Sequence, residues 1–243
     1  VKSMDRKEKT EHAPLLYDLT SLQRDANRIL GFTAQQTLNY TQALYEKKLV
    51  TYPRTDSRYL TEDMKPMLPS LITQVAEKIG ADAADWKADN GTELSVDGMC
   101  DSRKVSDHHA IIPTGTMCAA DLAALPSGEK AILQLIAVRL LCAAAPNHRY
   151  AEDMIVLVCG GEEFTKKVRT VLYSGWKNIW QHFYPSKEKE QKPCGGPILY
   201  PNAMVSFSQA EIKEGKTTAP KHFTDVIFCE RKEWIGIEER SSA

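Results

Sequence analysis

Tyr52, Arg54 and Asp56 stand at alternate positions in the stretch Thr51-Tyr52-Pro53-Arg54-Thr55-Asp56-Ser57. On an extended backbone, side chains at i and i+2 share a face. A phenol, a guanidinium and a carboxylate would then point the same way. A phenol is a weak nucleophile at neutral pH because its ordinary pKa is about 10. It can still form a covalent intermediate when a cation favours its phenolate, or when a phosphate is held in line with its oxygen. Arginine's planar fork fits two phosphate oxygens. A phosphodiester gripped by Arg54 would lie beside the Tyr52 oxygen, with Asp56 placed to hold the guanidinium. By spacing alone, most such triplets are ordinary surface loops.

A second candidate group is Ser106-Asp107-His108-His109-Ala110-Ile111-Ile112-Pro113-Thr114. Adjacent histidines on a strand face opposite ways. No third ligand at suitable spacing accompanies them, so no metal site is expected here. The six cysteines (Cys100, Cys118, Cys142, Cys159, Cys194 and Cys229) include no pair with zinc-ribbon spacing. They read as reduced thiols rather than disulfides.

The elements that must position these residues change character along the chain. Residues 1–18 read as an extended lead-in. Thr20 or Ser21 can cap a helix that runs to Leu30 and stops at Gly31. Thr33, with Gln36 three residues on, forms a capping box for a second helix. Two helices around a glycine turn, followed by Leu49-Val50-Thr51-Tyr52 as a short strand, have the outline of a winged helix-turn-helix. Further helices are predicted over 68–80, 119–125 and 128–145. The last is apolar nearly all round and should be a core helix. Residues 81–107 read as loop with short pieces of structure. From Tyr150 the period shifts to that of strands: 150–159 and 164–173 flank Gly160-Gly161 as a β-hairpin. Residues 185–197 read as a polar surface loop, 203–211 alternate again, and Lys213-Glu214-Gly215-Lys216 is a turn or loop.

The chain has 243 residues, 42% of them hydrophobic and 26% charged, with a net charge of −1, as in an ordinary globular protein. Charge is unevenly spread. Residues 1–60 carry ten Lys and Arg against seven Asp and Glu, while residues 61–101 carry three against nine. A nucleic-acid groove would have to be local and exclude the acidic stretch; two solvated faces would give the same distribution. No apolar run reaches the roughly 18 residues of a membrane span. The opening residues lack the apolar core of a signal peptide.

The heptapeptide around Tyr52 resembles the nucleophile motif of type IA DNA topoisomerases. Leu16-Tyr17-Asp18-Leu19-Thr20-Ser21-Leu22-Gln23 with Ala26-Asn27 resembles the segment leading into that motif. Thr37 to Lys47, with Ala43-Leu44-Tyr45-Glu46, resembles the helix before the tyrosine. Ser106 to Thr114 resembles a second signature, that of the topoisomerase III branch. The motifs fall in the family's order and cover about residues 10–225.

The resemblance implies an α+β fold: a helical gate domain with helix-turn-helix-like features inserted into a β-rich arch domain. It places the discontinuous arch at 1–18 and 147–225 and the helical domain at 19–146. It implies that Tyr52 cleaves and religates single-stranded DNA through a 5′-phosphotyrosine, relaxing or decatenating DNA, with Arg54 and His108 beside the scissile phosphate. Thr55, Asp56, Ser57, His109, Lys216 and Lys221 are the implied DNA-binding residues. His109 has the weaker claim, with packing or a backbone contact as its other reading. Single-stranded DNA is the implied partner. Helicase or single-strand-binding proteins would join the full-length enzyme, which would act in the cytoplasm at the nucleoid.

The family's magnesium ion is held in a Toprim domain that this sequence does not contain. The chain therefore reads as a central fragment, expected to be inactive alone and to bind no metal itself. Residues 226–243 depart from the family pattern as an atypical tail. Two other readings fit some residues. One is a non-catalytic single-stranded DNA-binding module, which would form no covalent adduct. The other is an enzyme of the tyrosine recombinase kind, which would need several placed arginines where only Arg54 has a sharp position.

Overall fold

The structure is a computed structural model. It describes residues 1–81, 96–185, 202–206, 214–217 and 219. Two compact units are present. One is built on Val1–His12 and Asn147–Ser174, the other on Ala13–Pro146 and Gly175–Pro185.

The first unit carries a three-stranded antiparallel sheet in the order β1-β2-β3, formed by β1 (Ser3–Glu11), β2 (His148–Cys159) and β3 (Glu162–Tyr173). β1 comes from the far end of the sequence and pairs along its length with β2, Ser3 opposite Val156 and Glu11 opposite His148. β2 and β3 are joined by Gly160-Gly161, whose φ values of 61° and 87° suit a tight hairpin turn that matches the strand twist. Glu152 links all three strands: its carboxylate accepts from Lys9 on β1 at 2.6 Å and from Arg169 on β3 at 3.3 Å. Lys9 holds the Glu152 carboxyl below its usual range.

The second unit is mainly helical. α1 (Leu19–Leu30) starts at Asp18, not at Thr20 or Ser21. The Asp18 carboxylate accepts from the Ser21 N–H at 2.6 Å, and the Ser21 hydroxyl accepts from the Asp18 N–H at 3.2 Å. An aspartate one turn earlier thus outcompetes the hydroxyls for the free N–H groups. α2 (Ala34–Glu46) opens with the expected Thr33–Gln36 capping box. A 3₁₀ stretch at Glu62–Met67 leads into α3 (Leu68–Ile79). The predicted helix over 119–125 is instead α4 (Gly115–Ala119) followed by a 3₁₀ turn at Leu122–Ala124.

α5 (Ser127–Ala144) is the central helix. Ile132, Leu133, Leu135, Ile136, Val138, Leu140 and Leu141 are all buried, each contributing about 1.5–3 kcal/mol by leaving water. α5 packs against α1, α2, α3 and α6 (Trp176–Phe183). The arch is expected over 1–18 and 147–225. The structure differs in placing Ala13 to Asp18 and α6 with the helical unit. Ile179 is fully buried in the helical core, and the Trp176 N–H donates to the Pro146 carbonyl at 2.9 Å. The loop and strand expectations at 185–197 and 207–211 and the tail at 226–243 lie outside the described residues, apart from Pro185.

Candidate active site

The segment after α2 is fixed before Tyr52 is reached. Lys48 takes a positive φ of 60°, and the Leu49 N–H closes on the Leu44 carbonyl at 2.9 Å. Val50 then bridges Pro113, and the Thr51 N–H donates to Ile112 at 3.0 Å. These are single bridges rather than the expected strand. The result is still an extended run laid against the His108–Pro113 segment. On the other side, Ile111 donates to the Tyr17 carbonyl at 2.8 Å, and Leu19, the first residue of α1, donates to the Thr55 carbonyl at 3.1 Å.

Burial along this run alternates. Pro53, Thr55 and Ser57 are buried, Arg54 and Asp56 are exposed, and Tyr52 is half-buried. Arg54 and Asp56 therefore face outward, with Tyr52 partly so, the alternation expected of an extended run. The exposed His108 ring lies 4.3 Å from the Tyr52 ring, tilted at 45°. Two motifs far apart in sequence thus place a phenol and an imidazole side by side. Arg54 is exposed, and among the described residues it has no hydrogen-bond or ion-pair partner; its fork carries five N–H donors.

Several expected roles fall elsewhere. Asp56 does not hold Arg54; its carboxylate accepts from the Ser106 hydroxyl at 3.2 Å. Thr55 and Ser57 point inward. The Thr55 hydroxyl donates to the His108 carbonyl at 2.7 Å, and the Ser57 hydroxyl donates to the Lys104 carbonyl at 2.8 Å. Both are spent on tying backbone segments together. The His109 ring is half-buried, with Nδ1 2.9 Å from the Ala110 carbonyl. Lys216 is exposed and belongs to the sheet unit; Lys221 lies outside the described residues.

The sequence reading missed Thr51 and Tyr45 as parts of this site. The Thr51 hydroxyl donates to the Ala110 carbonyl and accepts from the Ile112 N–H, both at 3.0 Å. Tyr45, at the end of α2, meets the Tyr52 ring edge-to-face, with centroids 5.4 Å apart at 79°. The spacing of Tyr45 and Tyr52 gives no signal for that contact, because it depends on the reversal at Lys48.

Among the described residues, no three His, Cys, Asp or Glu side chains converge as a metal site. Cys100, Cys118, Cys142 and Cys159 are free thiols. No helix among the described residues is long and apolar enough to cross a membrane.

A family model described as "DNA topoisomerase" matches residues 1–231. DNA topoisomerase 3 of Bacillus licheniformis is 39% identical over 218 residues, covering 89% of this chain and 30% of the relative. That of Bacillus subtilis is 37% identical over 227 residues, covering 93% and 31%. That of Bacillus cereus is 33% identical over 236 residues, covering 96% and 32%. The chain thus spans less than a third of the length of these relatives. The solved structure of full-length topoisomerase I from Thermotoga maritima matches in fold with a TM-score of 0.64 at 21% identity, over 98% of this chain and 37% of that one. The chain belongs to the DNA topoisomerase family, in its type IA, topoisomerase III-like branch.

Proposed function

We propose that this chain supplies the nucleophile of a topoisomerase that cuts and rejoins single-stranded DNA. The Tyr52 oxygen bonds to the phosphorus of a backbone phosphodiester as the bond from phosphorus to the 3′ oxygen breaks. The products are a 5′-phosphotyrosine and a 3′-hydroxyl. The phenol gives up its proton and the departing oxygen takes one up. One phosphodiester replaces another, so religation is the reverse step and needs no nucleoside triphosphate. Arg54 meets the negative charge on the non-bridging oxygens through its two-pronged fork, with His108 close by as a further donor. Passage of a second strand through the break would relax or decatenate DNA at the nucleoid. The described residues offer no ligand set for the magnesium ion that the resemblance implies, so no step is assigned to a metal here.

The observation that carries this reading is the 4.3 Å approach of the Tyr52 and His108 rings, with the exposed Arg54 two residues further along the same motif. The test uses the full-length protein containing this chain, with a single-stranded oligonucleotide labelled at its 3′ end. Denaturing electrophoresis should show a covalent adduct that Tyr52→Phe abolishes, with single-strand affinity changed by no more than a few-fold. An adduct that survives Tyr52→Phe would overturn the assignment. Binding without any adduct in the parent would leave a non-catalytic single-strand-binding module.

A further inference from the structure

The Tyr52 side chain is half-buried, and its phenol must arrive in line with a phosphorus atom. In-line displacement tolerates little angular error: a misplacement of about 1 Å can cost on the order of 100-fold in rate. Two ring contacts restrict the phenol. One is His108, already placed in the reaction. The other is Tyr45, whose ring meets Tyr52 edge-to-face at 5.4 Å.

Tyr45 is 38% exposed, and among the described residues its hydroxyl has no hydrogen-bond partner. Its contact with Tyr52 is nonetheless held by backbone. The Lys48 N–H donates to the Tyr45 carbonyl at 2.8 Å. The positive φ at Lys48 reverses the chain, and the Thr114 hydroxyl closes on the Lys48 carbonyl at 2.5 Å. The end of α2 and the start of the Tyr52 segment are thereby locked at one separation. Edge-to-face aromatic pairs carry a directional preference beyond their buried area, which here falls on the orientation of the Tyr52 ring.

We infer that Tyr45 is a positioning residue for the Tyr52 phenol, acting through its ring and not through its hydroxyl. The inference rests on the nucleophile assignment of Tyr52. Its test measures two quantities in the full-length protein: the single-turnover rate of adduct formation at saturating single-stranded oligonucleotide, and the dissociation constant for that oligonucleotide. Tyr45→Phe keeps the ring and should cleave within about two-fold of the parent. Tyr45→Ala should slow adduct formation by roughly 10-fold or more, with the dissociation constant within about three-fold. Parent-like cleavage by Tyr45→Ala would overturn the inference. So would an equal loss in Tyr45→Phe, which would assign the effect to the hydroxyl. A weakened affinity with an unchanged saturating rate would make Tyr45 a base-stacking contact instead. Tyr45→Leu, which keeps part of the apolar bulk but has no ring quadrupole, separates aromatic geometry from mere filling and should resemble Tyr45→Ala. The Tyr52→Phe control keeps failure of this inference distinct from failure of the nucleophile assignment.

Discussion

The Thr55 hydroxyl donates a hydrogen bond to the His108 carbonyl at 2.7 Å, joining the backbones of the two motifs whose rings meet at Tyr52 and His108. Thr51 makes the matching tie on the other side of Tyr52, to Ala110 and Ile112. The phenol and the imidazole therefore project from two segments pinned at either end. Replacing Thr55 with Val keeps the shape and removes the hydroxyl, which also accepts from the buried Ser57 N–H at 3.1 Å, leaving that N–H and the His108 carbonyl without this partner at a cost of about 1–3 kcal/mol. Thr55→Val should lower the denaturation midpoint accordingly and slow adduct formation in the full-length protein. Thr55→Ser should restore both. Urea titration of the two variants checks the first expectation, and single-turnover cleavage the second.

Beneath this region lies a buried charge cluster. Arg139 on α5 donates to the Tyr17 hydroxyl at 2.9 Å, pairs with Asp25 on α1, and lies 4.2 Å from the Tyr17 ring centre and 5.4 Å from that of Trp180 on α6. Tyr17 in turn donates to Asp25 at 2.8 Å. Truncating one partner of a buried pair leaves the other uncompensated, which typically costs roughly 3–5 kcal/mol. Asp25 keeps Arg28 at 2.7 Å, so Arg139→Met should fall at the lower end of that range in urea titration.

The same cluster sets an alkaline limit. Burial pushes the Tyr17 phenol well above its usual range, outweighing the opposing effect of Arg139. The folded state thus holds a proton that the unfolded chain releases near pH 10. Stability from this group is complete below that pH and declines as pH rises above it. Thermal denaturation between pH 8 and pH 11, a range chosen to bracket about 10, should show a steeper alkaline loss in the parent than in Tyr17→Phe. Equal slopes would show that the phenol ionises without unfolding the helical unit.

Much of this arrangement was legible in the residues, and the rest was hidden for identifiable reasons. The Thr33–Gln36 box, the apolar α5 and the Gly160-Gly161 hairpin are local signals, and each produced its element. The alternation of Tyr52, Arg54 and Asp56 likewise needs only an extended backbone. Pairing of β1 with β2 was reachable through the family resemblance alone, because residues so distant leave no mark on each other's spacing. The inward roles of Thr55 and Ser57 were missed because hydroxyls in a nucleophile motif suit phosphate and backbone equally well. Only the neighbouring His108 and Lys104 carbonyls decide between them. The place of α6 could not be read from its amphipathic pattern, which says that Ile179 is buried and not against which unit.

Cysteine reactivity offers a probe of the helical core. Cys142 is buried in α5, and burial pushes its thiol up to about 12, with Arg139 opposing. Cys159 is exposed at the end of β2. The thiolate is the reactive form, so at neutral pH a maleimide should modify Cys159 quickly and Cys142 only after unfolding. Peptide mapping by mass spectrometry distinguishes the two sites. Fast native-state labelling of Cys142 would contradict the packing of α5.

The contact between α2 and α5 makes the sharpest demand on side-chain size. A Cβ added at Gly128 would lie 2.4–2.9 Å from three atoms of the Tyr40 ring, closer than non-bonded carbons approach. The helices meet here because α5 presents no side chain. Close by, Glu129 pairs with Lys47 at the end of α2, fixing the segment that leads into Lys48 and Tyr52. In an open helix, Gly128→Ala would gain about 1 kcal/mol from helix propensity. Here the overlap should reverse that sign, because the Tyr40 ring must shift from its edge-to-face packing on Phe32, whose ring centre is 5.3 Å off. A net loss of about 1–3 kcal/mol is expected, as for other overpacked contacts. Tyr40→Leu removes the ring atoms involved. In the double variant Gly128→Ala should therefore become neutral or stabilising. A double-mutant cycle by urea denaturation measures that coupling, and additive effects of the two substitutions would show that α2 and α5 do not meet at Gly128.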